Sequence, residues 1–141
     1  MNTGKVRYVF RNWPIESIHP NAFKASLAAE CAGDQGKYWE MHERLFADQN
    51  KLAEPDLIAC ASVLGMNTKT FQECVDSGKY NSKVRKDLAD GSAAGVTGTP
   101  AFFLGKTTGQ TLRTATALKG AKSYGDFKQA LDSLLAEKGS N

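Results

Sequence analysis

Three cysteines and two histidines are the side chains of this sequence best able to carry out chemistry. Cys31, Cys60 and Cys74 are widely spaced, and no C-x-x-C occurs. A reactive cysteine needs a lowered pKa, supplied by a helix N-terminus, a nearby cation or a C-x-x-C partner. Two readings of the three thiols stay open at this point. They are substitute redox cysteines, or small hydrophobes on apolar helix faces. Cys60, on an alanine-rich helical stretch, reads as plain packing. A zinc site needs four ligands at short paired spacing, so these cysteines with His19 and His42 predict no metal. His42 falls on the apolar stripe of a helix and reads as a satisfied core histidine. His19 precedes Pro20 in a connector and receives no role. There is no Gly-rich phosphate loop followed by Lys-Ser/Thr, no G-x-S-x-G and no H-E-x-x-H, and no cofactor is expected.

Composition narrows the frame for these residues. The 141 residues are 41% hydrophobic and 23% charged, the balance of a globular chain with one core. The net charge of +3 comes from 18 basic and 15 acidic side chains that are scattered. The one cluster, Lys83-Val84-Arg85-Lys86, lies beside Asp87 and Asp90 and reads as a solvated helix face, so no nucleic acid is expected as a partner. No apolar run approaches a membrane span, and the opening MNTGKVRYVF carries no apolar signal core.

Patterning predicts the elements that must position the cysteines and histidines. Residues 5–11 alternate Val6, Tyr8 and Phe10 against Arg7, Val9 and Arg11, which predicts a strand ended by Pro14. Ala22, Ala25, Ala29 and Ala32 repeat at helical spacing beside Phe23 and Leu27. Residues 37–48 form an amphipathic helix with Tyr38, Met41, His42 and Leu45 on one stripe, and Trp39 and Phe46 read as core beside it. Residues 55–64 begin with Pro55 and align Leu57, Ala61 and Leu64. Asn67 caps a helix in which Phe71, Cys74 and Val75 share a face. A further helix runs from about Asn81 to Ala94 with Val84 and Leu88 inward. Gly95-Val96-Thr97-Gly98-Thr99-Pro100 is loop chemistry. Ala101–Leu104 reads as a buried strand, 106–111 as a turn, and Leu112–Leu118 as the second arm of a hairpin. Ser123 and Asp126 form a capping box for a last helix. Its stripe is Tyr124, Phe127, Leu131 and Leu134, with Ala130 and Leu135 alongside. The order is strand, five helices, hairpin, helix: an α+β chain.

Six blocks of this sequence, in order, resemble the DsbA-like branch of the thioredoxin superfamily. They are Gly4–Pro14, Ile18–Ala25, Ala29–Phe46, Phe71–Tyr80, Gly95–Phe103 and Gly120–Lys128. The G-V-T-G-T-P-A-F-F of Gly95–Phe103 is the most specific. The resemblance implies a single thioredoxin-like domain over 1–141 with a helical insert at about 20–95. It implies exchange of disulfides with protein thiols, through the first cysteine of a C-x-x-C at a helix start. The proline matching Pro100 is normally cis and faces those cysteines. The residue matching Thr99 offers its backbone to an extended substrate peptide. Thr99 and Pro100 are therefore the substrate-binding residues that the resemblance implies. Cys31 and Cys74 match positions where relatives often carry cysteine, which implies a structural disulfide between them.

In the family, the C-x-x-C and the strand before it precede the segment matching Lys5–Arg11. The resemblance thus implies a shortened chain without its central amino-terminal strand and catalytic helix, with no catalytic residue of its own. The expected function is that of a DsbA-family thiol–disulfide oxidoreductase fragment or truncated homologue, inactive as given. The alternative is a non-catalytic peptide-binding module that has lost the redox motif. A glutathione-using relative of the fold would need a catalytic residue from the same amino-terminal segment. Extended protein thiol substrates are the expected partners, and the resemblance suggests a periplasmic or extracytoplasmic location. Open edges at Lys5–Arg11 and Ala101–Leu104 predict self-association.

Overall fold

The computed structural model describes residues 4–109 and 111–136. Among them the chain runs α1 (Ala22–Gly33), α2 (Tyr38–Ala47), α3 (Glu54–Val63), α4 (Thr68–Asp76), α5 (Asn81–Ala93), β1 (Ala101–Thr108), β2 (Thr111–Lys119) and α6 (Tyr124–Ala136). The architecture is α+β, in two compact units that divide between Ala93 and Ala94.

The first unit is helical. α1 is alanine-rich, and Ala28 and Ala32 are wholly buried, so neighbouring helices approach its backbone closely. α2, α3, α4 and α5 all pack against it. The core joins Ala28, Cys31 and Ala32 to Met41, Leu57, Ala61, Met66, Phe71 and Val75. Local chemistry sets the helix starts. Pro55 stands in the first turn of α3, where its missing N–H costs nothing, and Glu54 and Asp56 face the positive end of the dipole. The Asn67 side chain accepts from the Thr70 N–H at 3.0 Å and caps α4. Gly91 in α5 lies against the Trp13 indole so closely that a Cβ there would overlap the ring.

Several expectations need correction. Residues 5–11 form no strand. The sheet among the described residues is the β1–β2 pair, and a strand needs a neighbour for its ladder. The alternation of this segment instead lays rings on α2: Tyr8 meets Trp39 at 5.7 Å and Phe10 meets His42 at 4.5 Å between centroids. Its end is tied down by polar contacts. Arg11 Nε donates to Asp87, the Asn12 N–H donates to Asp87 Oδ2 at 3.0 Å, and Asn12 Nδ2 donates to Glu30 Oε1 at 2.8 Å. Asp87, expected on a solvated face, is thus buried, and Lys83 pairs with the equally buried Glu30. Trp39 and Phe46, expected in the core, are exposed, although Tyr8 lies against Trp39 and Phe10 against Phe46.

The second unit is a hairpin with a helix on it. β1 and β2 pair antiparallel, with Ala101 opposite Lys119, Phe102 opposite Leu118, Phe103 opposite Ala117 and Leu104 opposite Thr116. A register shift follows, and Lys106 faces Arg113. The turn expected over 106–111 is shorter than that. Thr107 and Thr108 continue β1, as β-branched residues favour, and the chain reverses at Gly109 with a φ of +60° that glycine adopts without strain. Ser123 and Asp126 form the expected capping box, with Asp126 Oδ2 accepting from the Ser123 N–H at 3.0 Å. Phe127 packs edge-on against Phe102 at 4.7 Å. Leu131, Leu134 and Ala130 are half-buried, whereas Tyr124 and Leu135 are exposed, so the stripe of α6 is narrower than its spacing predicts.

Candidate functional site

The loop 94–100 and the base of the hairpin enclose a cleft of about 360 Å³. Its walls come from Val96, Thr97, Thr99 and Pro100 on the loop side, and from Phe103 and Lys119 on the hairpin side. The Thr99–Pro100 peptide bond is cis. The register fixes what the β1 edge offers. Gly120 N–H donates to the Pro100 carbonyl at 2.8 Å, just outside the Ala101–Lys119 pair. That pair is therefore of the non-hydrogen-bonded kind, and Phe102 and Leu118 are the pair that exchanges bonds. It follows that Ala101 and Phe103 turn their N–H and C=O groups away from β2. No group among the described residues takes them up. The bare edge and the loop thus lie side by side.

The two faces of the hairpin differ as well. Phe102 points to α6, with the buried Leu104 on its side. Ala101 and Phe103, with their partners Ala117 and Lys119, occupy the opposite face. Phe103 is exposed there. Sequence reasoning singled out Thr99 and Pro100 but missed Ala101, Phe103 and Lys119, whose relation appears only through the register.

The cysteines lie in the helical unit. Cys31 and Cys74 are joined in a disulfide between α1 and α4, with a Cα separation of 5.9 Å. Cys31 is 1% exposed and Cys74 is half-buried. Cys74 Sγ lies 3.6 Å from Asp34 Oδ2. A disulfide sulfur carries no proton, so this is a contact and not a hydrogen bond. An anion beside the sulfur disfavours a second negative charge there. Asp34 also accepts from Lys79 Nζ at 2.7 Å and from Tyr80 Oη at 2.6 Å. The Lys79 bond, then the Tyr80 bond, hold its pKa below the ordinary value. Its contribution to stability is therefore present above the ordinary aspartate pKa and is lost as pH falls through the lowered one.

Cys60 is the free thiol and is half-buried. Burial pushes its pKa up, with a smaller opposing effect from Arg44, so it is protonated and weakly nucleophilic at neutral pH. Protein unfolded without reductant is expected to titrate one thiol, and three after reduction. In the native state Cys60 should alkylate with iodoacetamide more slowly than a simple thiol of ordinary pKa. Three thiols before reduction, or a native rate above that of the simple thiol, would contradict this arrangement.

His42 is not the satisfied core histidine expected. It is half-buried among Phe10, Phe46, Tyr38 and Trp39, and its Nε2 is buried with no hydrogen-bond partner among the described residues. Burial lowers its pKa and keeps the ring neutral. His19 is exposed and takes part in nothing at the cleft. The described residues hold no cluster of three or more metal-ligating side chains.

Comparison with known proteins adds two findings. Residues 1–132 match the family model described as Thioredoxin. Among curated proteins, the Na(+)/H(+) antiporter NhaA 1 of Salinispora arenicola is 38% identical over 99 residues, covering 70% of this chain and 15% of the antiporter. NhaA 3 of Salinispora tropica is 37% identical, covering 70% of this chain and 15% of its own. NhaA of Herminiimonas arsenicoxydans is 35% identical, with 70% and 16% covered. The chain thus spans about a sixth of the length of these curated relatives. No solved structure gives a significant match.

Proposed function

Because this chain belongs to the thioredoxin family, we propose that it is a DsbA-like module that holds extended protein segments against the Thr99–Pro100 loop. One observation carries the reading: the Thr99–Pro100 bond is cis, and both residues stand exposed at the wall of a cleft. A peptide laid there in extended form would pair with the Thr99 backbone, a strand-addition mode. Main-chain pairing accepts many sequences, which suits the protein thiol substrates of a disulfide oxidoreductase lineage.

The chemistry of exchange itself needs a low-pKa cysteine opposite the loop. None of the three cysteines here meets that need. Cys31 and Cys74 tie two helices together, and Cys60 is protonated. These 141 residues therefore supply the holding of peptides and not the attacking thiolate. The Cys31–Cys74 disulfide suits an oxidising, extracytoplasmic compartment. The antiporter names of the relatives do not enter the reading, because the match spans only 15–16% of those chains. No helix among the described residues is long and apolar enough to cross a membrane.

The test is an amide-resolved NMR titration with an octapeptide of alternating valine and threonine, and with two versions N-methylated at one or the other alternate set of amides. The unmodified peptide is expected to shift the Thr99 and Ala101 amides. N-methylation of the loop-facing set should weaken binding at least tenfold, and methylation of the other set should not. No shift at residues 95–103 at millimolar peptide, or equal binding by both methylated forms, would overturn the proposal.

A further inference from the structure

Each cysteine of this chain lies in the last turn of a helix: Cys31 in α1, Cys60 in α3 and Cys74 in α4. That is the inverse of an exchange-active arrangement, in which a helix start lowers the thiol pKa and favours the thiolate. The last turn of a helix carries the negative pole of its dipole and disfavours an anion. We infer that these two helix ends, with Asp34 as an electrostatic guard, close the Cys31–Cys74 disulfide to thiol exchange. The bond is then a staple that persists among protein thiols, and not a second redox site. This holds whether or not the Thr99–Pro100 loop receives peptides.

Exchange begins when an external thiolate attacks one sulfur. A new S–S bond forms to the attacker, the Cys31–Cys74 bond breaks, and its electron pair leaves on the other sulfur as a thiolate. Both directions are opposed here. Attack at Cys74 brings an anion to a sulfur 3.6 Å from Asp34 Oδ2. It also leaves the thiolate on Cys31, in the core with Ala28, Ala32, Leu57 and Phe71, where burial opposes the charge. Attack at Cys31 must reach into that core, and it discharges the thiolate at Cys74, beside Asp34. The Tyr80 hydroxyl donates to Asp34 Oδ1 at 2.6 Å, so the other oxygen is the one at the sulfur. Lys79 and Tyr80 hold the Asp34 pKa down, which keeps it a carboxylate wherever thiols exchange. Lys79 Nζ lies 2.7 Å from Oδ2 and tempers the guard. Its side chain is 53% exposed, so water and salt screen that compensation. Cys60 is no internal attacker, because burial keeps it protonated.

Three monothiols of different charge test this: 2-mercaptoethanesulfonate, 2-mercaptoethanol and cysteamine, at equal thiolate concentration and low ionic strength. Alkylation of Cys31 and Cys74, counted by intact mass, reads the rate. Folded protein is expected to be reduced more slowly than urea-unfolded chain by all three. Cationic cysteamine should lead the anionic sulfonate by about fivefold or more, the factor that one unit charge near 4 Å produces in water. Asp34→Asn should speed the sulfonate most and bring this ratio to that of the unfolded chain. Lys79→Met, which leaves the carboxylate uncompensated, should widen the ratio. Tyr80→Phe loosens the same cluster without removing the charge, so it should keep the ratio even where all three rates rise. An Asp34→Asn protein in which all three thiols react faster by the same factor would make Asp34 a purely structural residue and overturn the guard. Folded protein reduced as fast as the unfolded chain would overturn the closure itself.

Discussion

Replacing Cys31 and Cys74 together with alanine is expected to destabilise the helical unit by about 4 kcal/mol. The two residues are 43 apart in sequence, and closing a loop of that length removes much of the conformational freedom of the unfolded chain. The loop spans all of α2 and α3, so the cross-link constrains most of the unit while unfolded. Loss of sulfur packing adds to the cost, because Cys31 sits in the core with Ala28 and Ala32. Urea unfolding followed by far-UV circular dichroism reads the change, since five of the six helices among the described residues lie in this unit. Dithiothreitol added to the unaltered protein should reproduce most of it. A loss below about 1 kcal/mol would show that the bridge constrains little, and that packing alone holds α1 against α4. Cys60→Ala is the control, with no cross-link to lose.

The helices were legible because their apolar residues recur at a period that only a helix can bury. α3 and α4 begin and end near the positions that Pro55, Gly65, Asn67 and Gly78 mark. The period says which face is apolar, but not what covers it. Trp39 and Phe46 lie beside the stripe of α2 and are exposed, and Tyr124 opens the stripe of α6 and is 81% exposed. The segment at 5–11 has strand chemistry and lacks a strand neighbour, which no local pattern can reveal. The polar cluster of Asn12, Glu30 and Asp87 was illegible for a related reason. Its members are 18 and 75 positions apart, and nothing near any of them in sequence announces the others.

The candidate site was legible in halves. The loop carried a specific motif, so Thr99 and Pro100 stood out before any geometry was known. The hairpin half depends on which residue of β2 meets which of β1. A shift of β2 by one residue would have turned Ala117 and Lys119 to the α6 side, and Leu118 outward. What decides the register is the side-chain set facing α6: Phe102, Leu118 and Leu104 fit an apolar partner, and Lys119 does not. The same burial that anchors α6 therefore leaves Lys119 on the face of the cleft.

Phe71→Ala is expected to cost about 3–5 kcal/mol, the second large effect. Phe71 is 1% exposed and is the largest of the fully buried side chains. It stands one turn before Cys74 on α4, so the same helix is held by a ring on one turn and a covalent bridge on the next. Met41, Leu57, Ala61 and Val75 share its core cluster, and close packing leaves these neighbours little freedom to collapse into the space that the ring would vacate. Phe71→Leu, which keeps most of the volume, should cost less than half as much. The two anchors share α4, so their losses should not simply add. Phe71→Ala in the Cys31→Ala, Cys74→Ala background approaches the whole stability of an ordinary domain, about 5–15 kcal/mol, and the helical unit should be largely unfolded at 25 °C without denaturant. The urea midpoint of the single variant and the ellipticity of the triple variant in buffer check both statements. A Phe71→Ala protein within about 1.5 kcal/mol of the unaltered chain would show that the core repacks around the gap, and that the disulfide alone fixes the position of α4.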